Sequence, residues 1–402
     1  MCLILGSILV SAAQDTPPPK LDYGHSAAKV GLLPVTAAWG RPIAFTSQVI
    51  AFKGDDEKLK NAGFEKQFTN CLMRLAHDLG STGSDFSRLL RLNMYLRGDN
   101  DRVRAEAYLS RHMPGLNGAL TFVSGRLEHT NALIAMDAIG LTTHPKRTWS
   151  RLEATKSLIP KGRHGLVASV LLPGRRVFIS GQAVRAETLT EATRQTMKQL
   201  GETLEFLGLQ WKDVVQVKSF IQPMTKVSDV ATEISRFFTT NQTPPQVFVE
   251  WTSKVPIEIE LVVNGGEAKE DDPLVEYLTP PAMKASPVFT RVVRVNRGKL
   301  VFTSALYGPT DQGVENEIRS IFNELQLSMA VMGTNLKHLV KATYYVANND
   351  SSRALNKLRP EYYDPKRPPA ASKAAIRGTG LPNHSITMDL IGVAEQGGGV
   401  PK

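Results

Sequence analysis

"MKQLGETLEFLGLQWKDVVQVKSFI", residues 197–221, reads as a helix, a glycine stop and a strand. Two other stretches repeat the pattern: "CLMRLAHDLGSTGSDFSRLLRLNMYL" at 71–96 and "NELQLSMAVMGTNLKHLVKATYYV" at 323–346. Gly83, Gly208 and Gly333 stand 125 residues apart each time. Behind them Phe86, Trp211 and Leu336 coincide, then Leu90, Val215 and Val340, then Tyr95, Phe220 and Tyr345. Apolar residues before each glycine fall at helical spacing: Phe68, Leu72, Leu75 and Leu79; Met197, Leu200, Leu204 and Leu207; Phe322, Leu325, Met329 and Met332. That spacing predicts one buried helix face per copy, stopped where glycine can take a left-handed backbone.

Working outward, a strand precedes each helix ("PIAFTS", "RVFISG", "LVFTSA") and another closes each copy ("LIAMDAI", "IEIELVV", "ITMDLIG"). A polar turn and a second short helix lie between them. Each copy therefore reads ββαβαββ over roughly 115 residues, an ordinary domain length. The fold class expected is α+β, with domains at 28–142, 149–265 and 287–396 and an acidic, proline-rich linker at 266–286. A sheet with both helices on one face leaves its other face bare. Three such sheets can bury those faces against one another, so a monomer with internal pseudo-threefold symmetry is expected.

The chain has 402 residues, 48 Lys plus Arg against 38 Asp plus Glu, and a net charge of +10. A basic balance favours anionic small molecules or nucleic acid. No basic cluster interleaved with aromatics stands out, which argues against nucleic acid as the partner. The eight histidines are dispersed without metal-ligand spacing, and the glycine-rich stretches do not sit in a phosphate-binding context, so neither metal nor cofactor is expected. Cys2–Val10 is too short an apolar run to span a bilayer. With Ser11-Ala12-Ala13 behind it, residues 1–13 read as a signal peptide cleaved before Gln14, and export follows as the expected location. Cys71 then remains as a single buried thiol on a helix face.

This order of elements, with "VFISGQ" ahead of the first helix and "PPQVFVEW" before "VPIEIELVV", resembles the RidA/YjgF family of reactive-intermediate deaminases. The resemblance extends over three tandem, divergent copies, the second closest to the family pattern. It implies a chorismate-mutase-like fold and pockets between neighbouring domains. It also implies hydrolysis of enamines and imines of 2-amino acids to 2-keto acids and ammonia. The family's proton-handling glutamate falls on Glu258, and its Ser-Gly-Gln edge on Ser180, Gly181 and Gln182. Its pocket asparagine falls on Asn356. Gln246 stands in copy two where the family has arginine, and Ala371 in copy three. Lys373, two residues on, shares a strand face with Ala371; a point charge there is one reading, and an exposed lysine with no partner is the one favoured. Asp137, Glu260 and Asp389 recur at one position in the last strands, which favours a structural role.

The expectation drawn is a single small-ligand site for a 2-imino or 2-keto acid. Glu258 is its catalytic group, with Ser180, Gly181, Gln182, Gln246 and Asn356 as binding residues. The alternative is a RidA-fold protein that binds a small metabolite or partner without turnover. RNA cleavage, the family's older description, is the third reading, and export argues against it.

Overall fold

A computed structural model describes residues 21–24, 35–38, 40–143, 165–239 and 242–395. The segment read as a signal peptide lies outside them.

Copy one contributes β1 (Leu21–Gly24), β2 (Val35–Ala38), β3 (Ile43–Thr46), β4 (Val49–Ile50), α1 (Asp56–Asn61), α2 (Phe64–Gly80), β5 (Leu89–Leu96), α3 (Asp101–His112), β6 (Ala119–Ser124) and β7 (Ile134–Leu141). Copy two contributes β8 (Ala168–Leu171), β9 (Arg176–Gln182), α4 (Leu189–Phe206), β10 (Val214–Ile221), α5 (Val227–Ser235), β11 (Gln246–Glu250) and β12 (Ile257–Asn264). Copy three contributes β13 (Val275–Leu278), β14 (Val292–Val295), β15 (Lys299–Thr303), α6 (Val314–Val331), β16 (Leu339–Val346), α7 (Asn349–Tyr362), β17 (Ala370–Ala375) and β18 (Ile386–Ala394). Gly83, Gly208 and Gly333 all have positive φ, 68–76°. Each sits in the turn after the main helix, which fits glycine's use as a helix stop.

The strands form three sheets, ordered β6-β5-β7-β3-β8, β11-β10-β12-β9-β14-β13 and β1-β2-β15-β18-β16-β17. In each, the strand after the second helix runs parallel to its neighbour and the last strand antiparallel, as β10 with β11 and β12 show. Two features differ from the sequence reading. The first strand of each copy does not pair with its own second strand. Instead β8 joins β3, β14 joins β9, and β2 joins β15. Each sheet thus borrows an edge from another copy, and β2 carries the exchange from the chain's start to its last sheet. The links explain this: only four residues separate β8 from β9 and three separate β14 from β15. Second, the stretch read as a linker at 266–286 holds β13, whose Val-Glu-Tyr-Leu pairs antiparallel with β14. Its proline and acid content masked a strand pattern of only four residues.

The helices cover one face of each sheet. Phe68, Leu75 and Leu79 are buried in one core, Met197, Leu200 and Leu204 in a second, and Phe322, Leu325 and Met329 in a third. A fourth core joins the opposite faces of all three sheets. Phe45, Phe178 and Phe302, equivalent in the repeat, lie in it at no more than 1% exposure, with Leu90, Val215 and Val340. Full burial of each such phenylalanine stabilises by roughly 1.5–3 kcal/mol. Cys71 is buried, and desolvation pushes its thiol up to about 12, which makes it inert.

Candidate functional site

The end of β9 explains why a serine and a glutamine flank a glycine there. Ile179 pairs with Leu261, whereas Gln182 pairs with Ile259, so β9 spends one residue more than β12. The extra residue makes a β-bulge at Ser180-Gly181, a device that re-aims side chains at a strand end. A Cβ on Gly181 would sit 2.0 Å from Glu258 Oε1 and 2.4 Å from its Cδ. The glycine is therefore required because the Glu258 carboxyl lies against bare backbone. The Ser180 N–H donates to the carbonyl of Arg291, and its hydroxyl, fully buried, has no protein partner. Gln182 turns the other way: its Nε2 donates to Thr203 Oγ1 on α4, 2.8 Å away. The sequence reading of Gln182 as a pocket group is thus not matched by its placement, because the bulge returns it to the helix face.

Copy three supplies the facing wall, with β17 running beside β9. Lys373 Nζ donates to Ser352 Oγ at 2.8 Å and to Asn356 Oδ1 at 3.2 Å, both on α7. Arg359, one turn further along that helix, also donates to Asn356 Oδ1 and stacks over Tyr344 with its guanidinium carbon 4.9 Å from the ring centroid. Asn356 therefore joins the Glu258 neighbourhood through Lys373. Burial pushes the Glu258 carboxyl up to about 7. Glu260 adds to the rise, while the Ser372 hydroxyl, Lys341 and Lys373 oppose it. Lys373 is held below its ordinary value by partial burial and by the Arg359 charge, against the pull of Glu258. A half-buried carboxyl titrating near neutrality beside a weakened ammonium is an arrangement suited to proton transfer.

Gln246 lies elsewhere. Its N–H approaches Ser47 Oγ of copy one at 3.4 Å, and its carbonyl accepts from Gln48 N at 2.9 Å. The register makes Gln246 and Ala371 equivalent, opposite Val217 and Ala342, and puts Leu120 at that position in copy one. Each of these strands meets the glycine edge of a different copy. The strand facing Gly181 is therefore β17, with Ala371, and not Gln246's own β11. Sequence order could not reveal which copies face each other. Arg359 and Ser372 were missed too, although Arg359 follows Asn356 at i+3 and so shares its helix face.

The two equivalent edges are closed by their own residues. In copy one Gln48 stands at the glycine position and donates from Nε2 to the Phe248 carbonyl at 2.9 Å. Ala135 replaces the glutamate there. In copy three Ala305 takes the glycine's place and its N–H donates to the Leu120 carbonyl. Thr387 stands for the glutamate, and its hydroxyl donates to the Leu306 carbonyl. Nearby, Arg102 of copy one is sandwiched between the Phe122 and Tyr307 rings at 4.7 Å from each centroid.

Two of the recurring acids tie neighbouring sheets together. Arg91 Nη1 meets Asp389 Oδ1 at 2.7 Å, and Lys341 Nζ meets Glu260 Oε2 at 2.5 Å, all four residues buried. Arg91 and Lys341 are equivalent positions, and Gln216 is the third. Lys218, on the same strand face as Gln216, donates to Tyr345 Oη at 2.8 Å, and its charge acts on the Asp137 carboxyl. Asp137 also accepts from Asn93 and Tyr95. Among the described residues no His, Cys, Asp and Glu group is arranged to hold a metal, and no helix is long and apolar enough to cross a membrane.

Three α+β sheets with their helices on one face, and a carboxyl packed on a bulged glycine edge, define the class. Residues 159–264 match the family model described as Endoribonuclease L-PSP. That segment belongs to the RidA/YjgF family. Among solved structures, a YjgF-family protein from Neisseria meningitidis is similar at 15% identity and a TM-score of 0.23, over 30% of this chain and 96% of its own. A Rid-family protein from Yersinia pestis is similar at 21% identity and 0.22, over 24% and 83%. RidA from an Antarctic Psychrobacter is similar at 16% identity and 0.22, over 23% and 80%. No curated protein matches the sequence.

Proposed function

We propose that the chain is three RidA-like domains closed into an intrachain pseudo-trimer, carrying one hydrolytic site for small 2-imino acids between copies two and three. The carrying observation is the Glu258 carboxyl on the Gly181 backbone, titrating near 7. At that value an appreciable fraction is ionised at neutral pH and can take a proton from water attacking a C=N carbon. The same group can then return it to the departing nitrogen, so that an imino acid and water give a 2-keto acid and ammonia. The other two edges lack both the glycine and the glutamate, which supports a single site.

A second reading, binding without turnover, is favoured by Ala371 at the position of the family arginine. Losing two charge-assisted hydrogen bonds to a carboxylate costs about 3 kcal/mol or more, at roughly 1.5–3 each. Ammonia release from freshly generated iminopyruvate or 2-iminobutyrate separates the two. Release by the wild type and its loss in Glu258→Ala supports hydrolysis. Binding of 2-ketobutyrate with no release in either protein supports the second reading.

A further inference from the structure

Resting on that reading of the site, we propose that Lys373 is a covalent catalytic residue, an amine that captures the substrate's imine or carbonyl carbon as a Schiff base. Three observations lead there. Lys373 lies on β17, which runs beside β9 of copy two, and its charge and that of Glu258 act on each other. Its Nζ is positioned by two neutral acceptors, Ser352 Oγ and Asn356 Oδ1, so it is oriented without being locked into an ion pair. The third observation is a neighbouring cation: Arg359 is buried, bonds the same Asn356 Oδ1 and meets no carboxylate through its Nε.

Partial desolvation and a nearby cation are the two devices that leave a lysine amine free to attack carbonyl carbon. The lowered proton affinity of Lys373 has these two causes in that order. An ordinary surface lysine has neither.

The chemistry balances with water alone. Unprotonated Nζ adds to the imine carbon and a C–N bond forms. Both Nζ protons pass in turn to the substrate nitrogen, ammonia leaves, and the carbon is double-bonded to Nζ. Water then adds to that carbon, giving its proton to Glu258. Glu258 passes that proton to Nζ, the carbinolamine hydroxyl gives Nζ its second proton as the C–Nζ bond breaks, and the 2-keto acid departs. A 2-keto acid presented alone enters the same adduct in reverse, with water as the leaving group. Covalent capture would also compensate for the absent arginine, because the bond to Nζ fixes the substrate where Ala371 gives no ionic grip.

The test is borohydride reduction of the full chain mixed with 2-ketobutyrate, followed by intact mass and peptide mapping. The expected result is one reduced adduct on Lys373, at least tenfold above any other lysine, and absent in Lys373→Arg and Lys373→Met. Both variants are checked for wild-type urea unfolding, so that a lost adduct is not lost structure. Adducts spread evenly over lysines, or unchanged ammonia release in both variants, would overturn the covalent route while leaving Glu258-assisted hydrolysis standing. Absence of adduct, of ammonia release and of calorimetric 2-ketobutyrate binding in the wild type would overturn the site itself.

Discussion

Lys341→Met tests whether the recurring acids hold the sheets together. Lys341 and Glu260 come from different copies and are 6% and 5% exposed, with Nζ 2.5 Å from Oε2. Removing the cation strands a buried carboxylate, which costs about 3–5 kcal/mol. Removing both charges in Lys341→Met/Glu260→Leu is different, because a well-packed apolar pair is often as stable as a buried ion pair. The Ser372 hydroxyl, which donates to Glu260 Oε2, would then lose its acceptor. That residual loss is about 1–3 kcal/mol. Urea unfolding followed by tryptophan fluorescence should therefore rank the double variant above Lys341→Met, with a coupling of about 2 kcal/mol or more between the sites. A single-variant cost below about 1 kcal/mol, or a double variant equal to the sum of the two singles, would refute the structural reading of this position.

The remaining expectations concern Glu258, the glycine edge, assembly and processing. Glu258 is raised from 4.5 to about 7 in the folded chain, so the native state binds more protons between those values and stability falls as pH rises through the window. Glu258→Gln should flatten that slope in urea melts taken from pH 4 to 8. Gly181→Ala should displace the Glu258 carboxyl, since its Cβ would fall 2.0 Å from Oε1, and lower any ammonia release at least roughly tenfold with the fold kept by circular dichroism. Light scattering should give the mass of one chain, whereas a fragment ending at Asn264 should self-associate, because the β9 edge that β14 covers is then open. N-terminal sequencing of native protein should begin at Gln14.

The repeat made most of the architecture legible. Helix faces, glycine stops and last strands could be read from period and phase, because each copy had to bury the same face. What the sequence hid was pairing across copies. Nothing local in "ASVL" or "VVRV" says which second strand it joins, and a link of three or four residues leaves the choice to packing. The same blindness misplaced Gln246, whose role depends on which edge faces β11. Gly181 and Glu258 were legible as a motif, but their contact, Oε1 against bare backbone, needed the bulge that only strand register reveals. Lys373 was visible as a charge on the right strand face. Its restraint by Ser352 and Asn356 was not, since α7 and β17 meet only in three dimensions.

Covalent linkage of the copies changes what their interfaces can do. Identical subunits in a symmetric ring must repeat every contact, so a residue that closes one pocket closes all of them. Here the equivalent positions have separated. Gln48 and Ala305 seal two glycine edges, Gly181 leaves the third able to take a carboxyl, and Arg91, Gln216 and Lys341 answer the same need with different groups. Those two interfaces can instead be packed for stability. Arg102, clamped between Phe122 and Tyr307, shows such packing across copies one and three. The interface of copies two and three has what the equivalent positions of the others lack, a half-buried glutamate against bare backbone and an amine without an ion pair. Uncompensated groups of that kind cost stability, so a chain held together by its other two interfaces and by three exchanged strands is the setting in which one such site can be carried.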